Sequence, residues 1–66
     1  MLNYLVLFEM NDGTHAYCAF NYNGAFTPTR AMRNATEFRE RRFAVEMAEA
    51  LMQTWSEKLK SYSIVI

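Results

Sequence analysis

Along the chain, short stretches of β-branched, aromatic and aliphatic residues give way near the middle to a long helical pattern. Residues 3–10, Asn-Tyr-Leu-Val-Leu-Phe-Glu-Met, read as a strand running into Asn11-Asp12-Gly13. Asp-Gly between two apolar runs is a strong hairpin signal, because a two-residue type I′ turn needs positive φ at both central positions. Counting outward from that turn pairs Leu5, Leu7 and Glu9 with Phe20, Cys18 and Ala16 on one face. On the other face Val6, Phe8 and Met10 meet Ala19, Tyr17 and His15. A second turn at Asn23-Gly24 predicts a short third strand over 25–27, ended by Pro28. Thr27-Pro28 suits the start of a single helical turn over 28–33.

Asn34-Ala-Thr-Glu37 has capping-box spacing and predicts a helix from near Ala35. With neither Gly nor Pro between Phe38 and Leu59, that helix is expected to reach about Lys60, followed by a short strand over 63–66. The predicted fold is α+β: a small, mostly antiparallel sheet in β-β-β-α-β order, with one long helix packed on one face, forming a single domain over 1–66.

The helix carries more apolar surface than such a sheet needs. Ala44, Met47, Ala48, Leu51, Trp55 and Tyr62 share one stripe, while Phe38, Val45, Met52 and Leu59 recur at seven-residue intervals along a flank. Together they span an arc about twice the usual width. Two readings are open: a curled sheet and residues 28–37 wrap the flank, or the flank packs on a partner protein or on a second copy of the chain, with Val45, Met52, Trp55 and Leu59 as the dimer interface. Tyr4, Phe8 and Tyr17, on the outer hairpin face, are a second candidate contact, since tyrosine can bury its ring and keep its hydroxyl wet.

Composition sharpens this picture. In 66 residues, 52% of them hydrophobic, a core rarely supplies more than about 3–5 kcal/mol. Cys18 is the one cysteine, so neither an intramolecular disulfide nor a multi-cysteine zinc site is available as a staple, and association with a partner is the remaining remedy. No uninterrupted apolar run is longer than that from Tyr4 to Phe8, which is too short to cross a bilayer. Residues 1–10 lack the pattern of a signal peptide, so a cytoplasmic location without membrane association is expected.

Charge is balanced overall but not locally. Arg30, Arg33, Arg39, Arg41 and Arg42 are five of the seven basic residues and outnumber nearby Glu37 and Glu40 by three. Arginines at a helix start oppose the macrodipole, so compensation is expected. It could be local, through Glu37–Arg41 and Arg42–Glu46 pairs. Otherwise it comes from an acidic partner protein or from nucleic-acid phosphates, both suited to the bidentate guanidinium. Nothing suggests catalysis, a metal or a cofactor. Cys18 and His15 fall on opposite strand faces, both glycines lie in turns, and Glu46, Glu49 and Glu57 read as a solvated face. The expected function is non-enzymatic protein binding, with nucleic-acid binding through the arginines as the alternative.

The sequence of Asn11-Asp12-Gly13, Tyr17, Phe26-Thr27, Ala35-x-x-Phe38, an Ala-rich helix and a terminal strand resembles a loose group of small phage and mobile-element accessory proteins. At the helix start, Arg39-Glu-Arg-Arg42 stands where that group has Ser-x-x-Glu. The resemblance implies a compact protein that acts by binding, including an inhibitor of a host defence or host polymerase complex. It implies no shared functional residue.

Overall fold

A computed structural model describes residues 3–66. Its elements are β1 (Leu5–Met10), β2 (His15–Tyr17), a 3₁₀ turn (Met32–Asn34), α1 (Arg41–Thr54) and β3 (Leu59–Val65). The sheet is antiparallel with order β2-β1-β3, and α1 lies on one of its faces, so the α+β class holds. The third strand is the last one in sequence. Residues 25–29 contribute only isolated bridges, Phe20 to Phe26 and Tyr17 to Thr29, rather than the expected strand over 25–27.

The first hairpin is shifted by one residue from the predicted pairing. Leu7, Phe8 and Glu9 oppose Tyr17, Ala16 and His15. Gly13 N donates to Met10 O at 3.0 Å, Met10 N donates to Thr14 O at 2.7 Å, and Gly13 has φ +89 while no non-glycine residue has positive φ. This is a three-residue loop, a tight turn followed by a left-handed glycine, rather than a type I′ pair. Asp12 makes it favourable: its Oδ1 accepts from Thr14 N at 3.0 Å and from Thr14 Oγ1 at 2.6 Å. Those bonds, the hydroxyl's foremost, hold the Asp12 carboxyl below its ordinary pKa. The same device recurs at Asn21, whose Oδ1 accepts from Asn23 N and Ala25 N, with Gly24 at φ +83. A Cβ at either glycine meets nothing within 4 Å. Gly13→Ala and Gly24→Ala are therefore each expected to cost about 1–2 kcal/mol from backbone strain alone, as measured by urea unfolding.

Shifting the register by one exchanges the faces that the two strands share. Val6 and Phe8, both 0% exposed, turn toward α1 and join Cys18, Ala44, Ala48, Leu51 and Leu59 in the core. Phe26 closes this core at one side, with its ring 5.8 Å from Phe8 edge-on and 5.7 Å from Trp55. Ala44 and Ala48 are fully buried, and their small side chains let the helix backbone lie close to the sheet.

The helix is also shorter at both ends than its apolar pattern predicts. Residues 36–38 are taken by the sheet instead: Tyr4 and Phe38 exchange two backbone hydrogen bonds of 2.8 Å, and Thr36 N donates to Cys18 O at 2.9 Å. Three long-range backbone bonds outcompete the Asn34–Glu37 capping box, and Glu37 accepts from Asn3 Nδ2 instead. The single helical turn expected over 28–33 appears as the later 3₁₀ turn, with Thr29 Oγ1 accepting from Ala31 N at its start.

At the other end, Trp55 N donates to Leu51 O and the chain turns at 55–58. Asn11 Nδ2, bonded to Glu57 O at 2.7 Å, holds this turn against the first hairpin loop. β3 then opens on a bulge. Glu9 faces Ser61 but Met10 faces Leu59, which leaves Lys60 as the extra residue. That one residue reverses the alternation, so that Leu59 turns inward, 3% exposed, while Lys60 Nζ reaches Glu9 Oε2 at 3.5 Å.

Candidate protein-contact surfaces

The five arginines do not share one environment. Arg30 lies close enough to Asp12 for its charge to act on that carboxylate, at the first hairpin loop. Arg33 is the middle residue of the 3₁₀ turn and is exposed. Arg41 lies close enough to Tyr62 for its charge to act on that hydroxyl, whereas the Arg42 guanidinium lies over the Phe43 ring at 4.8 Å. Neither expected helical pair forms. Among the described residues the one ion pair of this group is Arg42 Nε to Glu40 at 3.3 Å, and the pair is largely exposed. Helix α1 has Glu40 at its N-cap position but no side-chain cap hydrogen bond, and no acidic residue in its first turn. Arginine charge therefore accumulates at the positive end of the helix dipole.

Phe43 is the contact residue that the apolar pattern passed over. It falls outside the Leu51 stripe and is 44% exposed. An aromatic residue on the polar side of a helix, directly after paired arginines, was the available signal. Its ring and the Arg42 guanidinium form an exposed aromatic–cation pair of the kind concentrated in protein interfaces.

Of the outer hairpin group, Tyr17 lies on the sheet face away from the helix, beside Leu7, both half-buried. Phe8 does not belong there. The register places it in the core, and Tyr4 also packs against that core. The seven-residue flank is likewise divided. Val45 and Met52 are half-buried on α1, whereas Phe38 is extended beside Tyr4 and Leu59 is core residue of β3 because the helix ends at Thr54. Trp55 caps the helix against Phe26, with Lys58 Nζ 5.8 Å from its ring centre. These two residues, with Met10, Phe26 and Pro28, line a cleft of about 200 Å³, below the usual size of a small-molecule site.

Cys18 is completely buried, and burial pushes its thiol up to about 11. It is a small hydrophobe in the core, protonated throughout the neutral range. No group of three or more His, Cys, Asp or Glu among the described residues is arranged to hold a metal, and no helix there is long and apolar enough to cross a membrane. The chain matches no family model, no curated protein and no solved structure.

Proposed function

We propose that the chain is a small, non-enzymatic protein-binding module that offers the start of α1, with Arg39, Arg42 and Phe43, to an acidic partner. The observation that carries this reading is the unneutralised arginine at the helix start. Glu37 is bonded to Asn3, Glu46 is not paired with Arg42, and Arg39 and Arg41 have no ion-pair partner among the described residues. A carboxylate-bearing partner would supply the counter-charge that the first helical turn lacks, and Phe43 would supply apolar area beside it. In its narrower form, implied by the resemblance to phage accessory proteins, the partner belongs to a host defence or polymerase complex.

The test is affinity capture from host extract, comparing the wild type with an Arg39→Ala, Arg42→Ala, Phe43→Ala variant. Capture is expected to fall by roughly tenfold or more in the variant and to be suppressed by added polyglutamate. Equal capture by both chains would overturn the reading. Binding to RNA or DNA that weakens steeply with salt, measured by fluorescence anisotropy, would replace the acidic protein with phosphate.

A further inference from the structure

The backbone of β3 has a free edge. In an antiparallel sheet each residue of a central strand bonds to alternate neighbours. Val6 O accepts from Cys18 N, and Met10 N donates to Thr14 O, so the even-numbered residues of β1 turn toward β2. Leu5, Leu7 and Glu9 accordingly bond toward Val65, Ser63 and Ser61. It follows that Tyr62 and Ile64 turn their N–H and C=O groups away from β1, and no other described segment pairs with them.

Protection of this edge is confined to one end. The bulge and the charge at Lys60 guard the beginning of β3. From Ser61 to Ile66 the strand has neither charge nor proline nor glycine, and Ile66 is 71% exposed. Above the open part lies the side of α1 that the sheet leaves half covered. Tyr62 Oη donates to Glu49 Oε2 at 3.2 Å, so the Glu49 side of the helix faces β3. Arg41, Val45 and Met52 share that side through their spacing of four, four and seven residues. Arg41 and Glu49 have opposite charges and stand one helical turn to either side of Val45.

We infer that the chain forms a two-fold homodimer in which the two β3 strands pair antiparallel through Tyr62, Ile64 and Ile66, giving a continuous six-stranded sheet with the two helix flanks side by side. The axis is set by the spacing of the helix and strand. Val45 lies one turn, about 6 Å, from Glu49, which corresponds to about two strand residues beyond Tyr62. An axis through Val45 therefore passes Ile64. Ile64 meets its own symmetry mate, Tyr62 meets the partner copy's Ile66 position, and Arg41 of each copy meets Glu49 of the other. This self-complementarity of charge selects a second copy over an unrelated strand, which would satisfy the backbone but not the flank. A standard interface takes about 800 Å² from each partner, roughly a sixth of the 4704 Å² surface of this chain. The dimer leaves Arg39 and Phe43 outside the interface, with Arg42 at its margin about 20° from Glu49 around the helix; it neutralises Arg41, so that the reading given above then rests on Arg39, Arg42 and Phe43.

Sedimentation equilibrium tests it. The wild type is expected to dimerise with Kd in roughly the micromolar range. Arg41→Glu is expected to weaken the dimer by roughly tenfold; glutamate at a helix start favours the folded monomer, so unfolding would not explain the loss. Arg41→Glu combined with Glu49→Arg should recover wild-type association. A synthetic chain with N-methyl Ile64 keeps its side chain but lacks the outward donor, and it should be monomeric with an unchanged circular dichroism spectrum. A wild type that stays monomeric to about 1 mM, or an N-methyl chain that still dimerises, overturns the proposal. Failure of the double variant to recover overturns the two-fold register.

Discussion

Replacing Phe8 with alanine is expected to leave the chain unfolded at room temperature. Phe8 is completely buried between β2, β3 and the helix, with Phe26 edge-on to its ring. Truncating a buried phenylalanine costs about 3–5 kcal/mol, and a domain of this size has about the same amount to lose. The shortened side chain would leave a cavity bounded by backbone that is pinned on both edges of β1, so the site has little scope to collapse. Far-UV circular dichroism and a urea titration measure the effect. A cooperative transition with wild-type stability would mean that Phe8 lies on the open face of the sheet, as a two-residue turn would have placed it.

Leu59→Glu is expected to have an effect of similar size, and Met52→Glu a much smaller one. The two residues stand seven apart and look equivalent on a continuous helix. In the structure Met52 is half-exposed on α1, whereas Leu59 is turned into the core by the Lys60 bulge. An unpaired carboxylate in the Leu59 position would have to be buried without a partner or expel itself by unfolding the strand. Thermal melts should show no folded state for Leu59→Glu and a cooperative transition for Met52→Glu. If the two variants melted alike, the helix would extend beyond Thr54.

These two predictions rest on the places where local pattern and structure differ. The α+β class, the first strand, both glycine turns and the body of the helix were legible, because alternation, Gly chemistry and helix propensity act locally. The hairpin register was not. A two-residue and a three-residue loop through Asp12-Gly13 differ only in the backbone conformation of Asn11 and Asp12, and that small difference exchanges Phe8 between core and surface. Both helix ends were lost to long-range pairing: Phe38 with Tyr4 at one end and Leu59 with Met10 at the other. The end of the last strand was legible as the expected strand over 63–66, but its beginning over 59–62 was hidden because Leu59 and Tyr62 also continue the helical periodicity. Among the candidate contacts, the arginines were legible from charge alone. Their separation into an Arg30 side, an Arg41 side and an Arg42–Phe43 pair depends on where the helix begins.

The central strand of the sheet comes first in the chain, and one of its two neighbours comes last, with Leu5 opposite Val65. During synthesis, then, β1 emerges from the ribosome with one edge unsatisfied, and the contacts that complete the core, Leu59 among them, arrive only once β3 has been made. Folding of this unit therefore waits on a single long-range closure. Until that closure Leu5–Phe8 is an exposed hydrophobic segment, the part of the nascent chain that chaperones would be expected to hold.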